Sequence, residues 1–352
     1  MRTSSRAAVA VMVIAATSLL AACVPPPTLS PTAEARQSAV SWLLRQFNPT
    51  THVIESTFTP GQPDVGGTAY AITSLRISNT SANIQQAAVD ALVPSVDSFV
   101  MDAQGADQPG QLARLILAVV ATGGDPRAYG PHDLVARLEA TIATTGPDAG
   151  RFGTQDATYD GAFRQGISLA ALSLVTPTPA TINPGGGSID DVPAVAWLRG
   201  QQCTDGSWMP YRSDLTAACA FDPVTFSGPD SNSTAMAVLG LEAVGASTAT
   251  DPNGWFEAAR TSSGGWGYDA SSTADPDSTG LVMAARRALG IAPDSAAITA
   301  LRSFQFGGSA PATDRGAFFY PPWSGPALPN LLATNDAMLG LAPAVWPGIL
   351  VS

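Results

Sequence analysis

Lysine is absent from the 352-residue chain, and all 17 of its basic residues are arginine. Without lysine, the protein has neither Schiff-base chemistry nor a lysine-dependent phosphate site. The formal net charge is −11, and no basic stripe is present that would displace counterions from a nucleic acid. The composition therefore argues against nucleic acid as a partner.

Histidine and cysteine are also scarce, with two and three copies. His52 and His132 do not combine with the cysteines into a convincing zinc site, so no metal is predicted. After removal of an N-terminal export segment, Cys203 and Cys219 would be the only thiols. In an oxidising compartment such a pair is most simply a disulfide, which is the prediction here.

The N-terminus has the features of an export signal. Arg2 and Arg6 precede an apolar run that is too short for a comfortable membrane span and that ends in Leu20-Ala21-Ala22-Cys23. This ending resembles the lipobox of bacterial lipoproteins, and the resemblance implies that Cys23 is acylated as the mature N-terminus. We expect a signal peptide over residues 1–22 and a lipidated, proline-rich tether over residues 23–33. The protein would then be exported and anchored to the outer face of the cell membrane, with an ordinary secretory peptide as the alternative.

One short pattern occurs six times along the chain, in which a polar or small residue opens an apolar run. The copies begin at Gly66, Gln108, Gly161, Ser231, Asp277 and Ala333. An internal repeat of this kind points to a repetitive architecture. Runs that are apolar nearly all round are typical of helices buried on both sides.

An amphipathic helix precedes most of these apolar runs. In the first one, Val40, Leu43 and Phe47 fall at i, i+3 and i+7. Pro94 is expected to kink or end the second. An inner ring of six helices inside an outer ring of six satisfies both patterns. We therefore predict an all-α fold, an (α/α)6 toroid of six outer–inner helical hairpins, over residues 34–346.

The long connections are predicted to gather at one end of the toroid, called the mouth below, where all inner helices begin. Each of them leads from an outer to an inner helix, and the longest spans residues 203–230. Long loops in a compact domain are usually functional. Six helix N-termini at the mouth would also present unpaired N–H groups and positive dipole ends. We therefore expect the ligand site there.

Two kinds of segment resemble one known superfamily. The segment Gln201–Trp208 resembles the QW repeat of squalene–hopene cyclases, as does the weaker segment Gly264–Tyr268. In that family the Gln and Trp tie an outer helix to the following turn. The phrases TAMAVLGL and NDAMLGL resemble inner helices of the α/α-toroid superfamily. That superfamily contains terpene cyclases, protein prenyltransferase β-subunits, complement thioester domains and the cobalamin carriers intrinsic factor and transcobalamin.

The catalytic motifs of the enzymatic members are incomplete in this sequence. Class II cyclases protonate their substrate from an Asp-x-Asp-Asp motif, which neither the segment 188–191 nor the segment 275–279 completes. No zinc-binding trio of Asp, Cys and His can be assembled for prenyl transfer, and the thioester motif GCGEQ is absent. A binding protein without cyclase chemistry is therefore the first hypothesis.

The resemblance to the cobalamin carriers implies a ligand held by polar residues at the starts of the inner helices. The matching positions are Gln111, Arg164, Gln165, Asn232, Thr234, Asp277, Thr279, Asn335 and Asp336. Tyr211, Tyr320 and Trp323 add aromatic walls for a bulky ligand. Helix capping is the alternative role for the polar residues, and loop packing is the alternative role for the aromatic ones.

The first hypothesis is therefore a surface-anchored, ligand-binding lipoprotein that requires no cofactor and holds a corrinoid or another bulky metabolite. An uptake transporter is a candidate partner. A glycan-active (α/α)6 hydrolase or lyase is the first alternative, since Asp230, Asp277 and Asp336 would supply the two carboxylates that such an enzyme needs. A divergent terpene cyclase-like enzyme and a purely structural envelope protein are further alternatives.

Overall fold

The structure is a computed structural model that describes residues 29–153, 161–222, 227–322 and 324–352. The expected signal peptide, Cys23 and most of the tether lie outside the described residues, as does Trp323. Export and lipid anchoring therefore stay predictions. In the part of the chain that the structure describes, no helix is long and apolar enough to cross a membrane.

Helices make up the regular structure of the described residues, and the only β-pairing among them consists of isolated bridges. In chain order the helices are α1 (Pro31–Leu44), α2 (Val65–Ile77), α3 (Ala82–Leu92), α4 (Val96–Val100), α5 (Pro109–Ala121), α6 (Leu134–Ala140), α7 (Ala162–Ser173), α8 (Pro193–Gly200), α9 (Ser231–Ala243), α10 (Asn253–Ala258), α11 (Pro276–Ala288), α12 (Ser295–Ser303) and α13 (Leu331–Gly340). A short 3-10 turn containing Pro94 separates α3 from α4, because proline lacks the N–H that would continue the helix.

The inner helices form a closed ring in which each contacts the next, in the order α2, α5, α7, α9, α11, α13 and back to α2. The helices α1, α3, α6, α8, α10 and α12 lie outside this ring. The inner helices are buried on all sides, as their apolar composition predicts; Ala235, Met236, Val238 and Leu239 of α9 are all buried. The predicted (α/α)6 toroid is confirmed.

Glycines allow neighbouring inner helices to approach until their backbones touch. A Cβ atom at Gly166 of α7 would lie 2.1 Å from the carbonyl oxygen of Met236 in α9. A Cβ atom at Gly280 of α11 would lie 2.3 Å from the carbonyl oxygen of Asp336 in α13. No side chain fits between these backbones, so glycine is required for the spacing that brings polar side chains of α11 and α13 together.

Buried tryptophans tie two outer helices to the turns that follow them. Trp208 Nε1 donates a hydrogen bond to the carbonyl oxygen of Leu198 at 2.8 Å, and Trp266 Nε1 donates to that of Phe256 at 2.6 Å. Both indole rings are fully buried. The structural role predicted for the two QW-like segments is therefore confirmed.

The connections from outer to inner helices meet at the mouth. They span residues 45–64, 101–108, 141–161, 201–230, 259–275 and 304–330. The return connections span residues 78–81, 122–133, 174–192, 244–252 and 289–294. The longest connection into the inner ring contains the predicted disulfide, which joins Cys203 to Cys219.

Candidate functional site

Polar residues cap four of the inner helices, but they are not the residues predicted to contact a ligand. The side chains that accept a hydrogen bond from a backbone N–H of the first turn are Asp64 for α2, Asp230 for α9, Asp275 for α11 and Asn330 for α13. Asn232, Asp277, Asn335 and Asp336 lie inside their helices instead. The capping alternative does not hold for these four, which leaves their side chains available for another role.

Asp277 of α11 and Asp336 of α13 meet at the mouth, with their carboxyl groups within hydrogen-bonding reach of each other. Asp336 is 3% exposed, and its Oδ1 accepts a hydrogen bond from the Tyr70 hydroxyl of α2. Its Oδ2 receives no hydrogen bond from a donor group of the described residues. A proton held between the two carboxyls satisfies that oxygen and avoids placing two negative charges side by side.

Burial is the main reason that this pair retains a proton. It raises the pKa of Asp336 to about 6. Burial, together with the negative charge of Asp336, raises the pKa of Asp277 well above its usual range. Asn232 Nδ2 donates to Asp277 Oδ2 at 3.1 Å, and the Tyr320 hydroxyl is a further hydrogen-bonding neighbour of Asp277. The protons of Asp277 and Asp336 belong to the pair rather than to either residue.

Two of the capping carboxyls lie on the same side of the mouth and are also buried. Burial raises the pKa of Asp230 to about 7 and the pKa of Asp275 to about 6. We call Asp230, Asp275, Asp277 and Asp336 the acidic half of the mouth. Because their pKa values lie above the usual range for aspartate, this half takes up protons as the pH falls towards 6.

Outside the carboxyl pair, three polar atoms at the mouth are buried without a hydrogen-bonding partner among the described residues. They are Asp230 Oδ2, Asn232 Oδ1 and Asn335 Nδ2. Asn335 is 1% exposed, and its Oδ1 accepts from the Ser74 hydroxyl at 2.8 Å, so only its amide N–H groups lack a partner. Buried polar atoms are nearly always paired in native proteins. Three such atoms at one mouth therefore indicate polar partners from outside the chain, either water or a ligand.

An open groove of about 920 Å³ lies between the first and last repeats and reaches Asn335. Its apolar walls include Trp42, Phe47, Phe58, Leu331 and Leu332, and its polar walls include Tyr70, Arg114 and Asn335. By contrast, the cavity inside the ring, next to Trp346, measures only about 20 Å³, which is room for about one water molecule. A large ligand therefore fits the groove and not the interior.

A second cavity of about 280 Å³, called the side pocket, adjoins the groove and contains basic residues. Its walls are Gly66, Phe99, Gly110, Gln111, Arg114, Phe163, Arg164 and Ile167. The Arg114 guanidinium lies 4.8 Å from the centre of the Tyr70 ring, and Arg164 Nη1 donates to Gln108 Oε1 at 3.3 Å. We call Gln111, Arg114 and Arg164 the basic half of the mouth.

Thr234 and Thr279 were predicted as ligand residues but hold the turns of the QW-like segments. Their hydroxyl oxygens accept hydrogen bonds from the backbone N–H groups of Trp208 and Trp266, at 2.9 and 3.0 Å. Both threonines are fully buried. The structure therefore gives both threonines a structural role in the neighbouring turn, and ligand contact at these positions stays a prediction.

Gln165 and Tyr211 also have structural roles. Gln165 is fully buried, its Oε1 accepts from the backbone N–H of Phe152, and its Nε2 donates to two backbone carbonyls. Tyr211 stacks on Trp197 of α8 with ring centres 6.4 Å apart, and its hydroxyl donates to Asp148. Their polar atoms are paired within the fold, and ligand contact at these two positions stays a prediction.

The repeat pattern does not single out Tyr70 and Arg114, which the structure places at the mouth. The available signal for Arg114 is a lone charge within the apolar run from Leu112 to Ala121, since such a charge is rarely buried without a purpose. Asp277 has a further signal. Asp275-Pro276-Asp277-Ser278 departs from Asp-x-Asp-Asp only in its last residue, and Asp277 is the member of that segment that joins the carboxyl pair.

No family model and no curated protein matches the chain, whereas several solved structures share its fold. A protein from Actinoplanes has a TM-score of 0.53 and 16% identity, covering 88% of this chain and 98% of its own. The type II terpene cyclase MstE from Scytonema has a TM-score of 0.55 and 15% identity, covering 90% and 98%. A family 88 glycosyl hydrolase from Bacteroides vulgatus has a TM-score of 0.51 and 11% identity, covering 88% and 98%. At these identities the likeness shows the fold alone, an α/α toroid.

Proposed function

We propose that the protein binds a bulky metabolite in the open groove at the mouth of the toroid. The observation that carries this proposal is the buried, unpartnered amide nitrogen of Asn335, which lines a groove of about 920 Å³. A ligand with an acceptor group pairs this nitrogen. A corrinoid, whose side amides both donate and accept, is the first candidate, in line with the resemblance to the cobalamin carriers.

Export and anchoring are part of the same proposal. The segment Leu20–Cys23 after a charged and apolar N-terminus supports a lipid on Cys23. The protein would then present its groove at the outer face of the cell membrane and pass the captured ligand to an uptake transporter. Cys23→Ser should release the protein or leave it unprocessed, as read by membrane fractionation and N-terminal sequencing. A lipid-free mature N-terminus several residues beyond Cys23 would contradict anchoring.

Proton transfer to the bound ligand is the second candidate function. The Asp277–Asp336 pair favours it, because a carboxyl whose pKa is raised towards neutral pH is suited to general acid catalysis. The similar structures include that of MstE, a type II terpene cyclase, in complex with geranylgeranyl dihydroxybenzoate. Cyclisation needs a chamber that excludes water, whereas the interior cavity here measures about 20 Å³. The filled interior therefore favours binding over cyclisation.

The arrangement of the carboxyls weakens the glycan alternative. Glycoside hydrolases place a sugar between two carboxyls that are roughly 5 to 9.5 Å apart. Asp277 and Asp336 instead lie within hydrogen-bonding reach of each other, and Asp230 is engaged in capping α9. None of these carboxyls is arranged to flank a glycosidic bond.

Calorimetry of the full-length chain with cobalamin, cobinamide and a long-chain isoprenoid tests the binding proposal. Asn232→Ala and Asn335→Ala should each weaken binding by about tenfold, because Asp230 and Asn330 keep the helices capped. Asn253→Ala is the matched control, since Asn253 also has a buried unpartnered oxygen but lies in the outer helix α10. Absence of heat with all three compounds, together with turnover of a glycan, would favour the hydrolase alternative.

Asp336→Asn separates binding from proton transfer. The substitution keeps the shape of the side chain but removes its titratable proton, so a pure binding protein should retain ligand affinity within a few-fold. If the protein is an acid catalyst, the wild-type chain should convert the isoprenoid to a product that mass spectrometry detects, and Asp336→Asn should abolish that product. No product from the wild-type chain would leave binding as the function.

A further inference from the structure

We propose that the mouth selects an acidic ligand, and that Arg114 and the side pocket bind a carboxylate or phosphate group carried on its apolar body. This inference rests on the proposed function, since it names the chemical class of ligand that the groove takes. It is independent of which metabolite class supplies the acid.

Arg114 occupies the point where the cavities of the mouth meet. It belongs to the inner helix α5 and lines the groove, the side pocket and the small interior cavity. A ligand that lies in the groove and extends into the side pocket must therefore pass its guanidinium. This position is suited to recognition of a group common to all accepted ligands.

The donors of Arg114 have no acceptor in the part of the chain that the structure describes. Its guanidinium rests on the Tyr70 ring at 4.8 Å, and it forms no hydrogen bond or ion pair with any residue in the described ranges. A guanidinium has five N–H donors in a planar fork that matches a carboxylate or a phosphate. Because Arg114 is half-buried, an acceptor that reaches these donors gains a charge-assisted hydrogen bond in a partly desolvated site.

The other walls of the side pocket also favour an anion. The first turns of α5 and α7 line it through Gly110, Gln111, Phe163 and Arg164. These are the two inner helices without a side-chain N-cap, so their first-turn N–H groups and positive dipole ends are not engaged by a capping side chain. Arg164 adds a second positive charge to the same cavity.

The charges across the mouth are consistent with this assignment. Asp336 lies within electrostatic range of Arg114, but it shares a proton with Asp277, and the pair therefore carries about one negative charge. Arg114 partly balances that charge without donating to it. An anionic group of the ligand in the side pocket would meet the Arg114 donors, which the carboxyl pair does not engage.

The size and apolar lining of the side pocket define the rest of the ligand. Its volume of about 280 Å³ is below the roughly 300–1,000 Å³ of sites that enclose a whole drug-sized ligand. Phe99, Phe163 and Ile167 provide apolar walls around the charged groups. The pocket therefore takes the acidic end of a larger molecule, whose apolar body extends along Phe47 and Leu331 of the groove.

Benzoate and benzamide are matched probes for this subsite, because they share a ring and a shape but differ in charge. In calorimetry or ligand-observed NMR on the full-length chain, benzoate should bind at least about tenfold more tightly than benzamide. Phenyl phosphate distinguishes a phosphate preference from a carboxylate preference. Arg114→Gln should abolish the preference for the anion, and Arg114→Lys should retain part of it, since lysine keeps the charge without the fork.

Arg302→Gln is the control for a simple loss of charge. Arg302 lies in the outer helix α12 and lines neither the groove nor the side pocket. Its substitution should leave the benzoate preference unchanged. Equal binding of benzoate and benzamide by the wild-type chain, or an undiminished preference in folded Arg114→Gln and Arg114→Lys, would overturn the proposal.

Failure of this inference and failure of the proposed function give different results. Suppose that calorimetry finds a bound metabolite and that Asn335→Ala weakens its binding. If Arg114→Gln then changes neither the affinity for that metabolite nor the preference for benzoate, the proposed anion subsite is wrong and the binding function stands. If the preference for benzoate depends on Arg114 but Asn335→Ala changes the affinity for no metabolite, the anion subsite stands and the proposed binding of a metabolite in the groove is wrong.

Discussion

The two halves of the mouth use polar residues in different ways. In the acidic half, Asp230 and Asp275 cap α9 and α11, and buried carboxyls retain protons. In the basic half, α5 and α7 begin without a side-chain cap, and the Arg114 donors find no acceptor in the described chain. The carboxyls of the acidic half therefore stabilise the starts of two helices and determine how many protons the folded protein holds. The basic half supports no helix cap, and its Arg114 donors are open to a ligand.

The strongest way to break the acidic half is to separate α11 from α13. Gly280→Ala places a Cβ atom 2.3 Å from the backbone oxygen of Asp336, so the helices must move apart and the carboxyl pair is disrupted. We expect a loss of about 2–4 kcal/mol in the free energy of unfolding, measured by urea denaturation. Gly254→Ala is the control, because Gly254 lies in α10 with no atom within 4 Å of an added Cβ. Equal effects of the two changes would contradict the close approach.

The next largest effect is a dependence of stability on pH. Burial raises the pKa of Asp230 to about 7 and the pKa values of Asp275 and Asp336 to about 6, whereas the unfolded value is about 3.9. The folded state therefore binds more protons than the unfolded state in this window. These groups should lower the free energy of unfolding as the pH rises from about 4 to about 7.

Asp336→Asn checks the origin of that pH dependence. The substitution removes one of the titrating groups and should flatten part of the decline, as read from urea midpoints at several pH values. Asp191→Asn is the control, since Asp191 is exposed on the outer side of the fold. Stability that rises steadily from pH 4 to 7 in the wild-type chain, or a decline that Asp336→Asn leaves unchanged, would show that the buried carboxyls are not the cause.

Capping in the acidic half should have a smaller effect. Asp230→Ala removes the acceptor for the Ser233 N–H, which lies 2.7 Å away, and should cost about 1–2 kcal/mol of the free energy of unfolding. Asp230→Asn keeps a capping oxygen and should cost less than about 0.5 kcal/mol. Thermal and urea unfolding at one fixed pH measure both variants. A similar loss in the two variants would mean that the charge, and not the cap, stabilises α9.

The basic half should show the smallest effect on stability. Gln111→Ala and Arg114→Gln should each change the free energy of unfolding by no more than about 0.5 kcal/mol, because neither residue supports a helix cap and Arg114 has no acceptor in the described residues. Urea denaturation without ligand checks this. A loss above about 1 kcal/mol would place Arg114 in the fold rather than at a ligand.

The fold is predictable from the sequence because the signals for each repeat lie within a short stretch of the chain. An apolar run predicts a buried inner helix, and a QW-like segment predicts the turn that Trp208 and Trp266 hold. The site depends on contacts between distant repeats. The Tyr70 hydroxyl, for example, reaches Asp336 across 266 positions of the chain, and no local pattern indicates that contact.

Helical geometry also separates residues that the motif places together. Asn232 and Thr234 are two positions apart, which is roughly 200° around a helix, so one side chain reaches the mouth and the other reaches the turn of Trp208. The register of α13 adds a second difference. This helix begins at Leu331, with Asn330 as its cap, so Asp336 lies more than one turn inside it instead of at its start.

Native mass spectrometry of the full-length chain purified from its native host tests the central claim most directly. The wild-type protein should carry a bound small molecule whose occupancy falls in Asn232→Ala, Asn335→Ala and Arg114→Gln but not in Asn253→Ala. A protein that carries no small molecule, or one whose bound molecule is retained equally in all four variants, would contradict a ligand site at the mouth of the toroid.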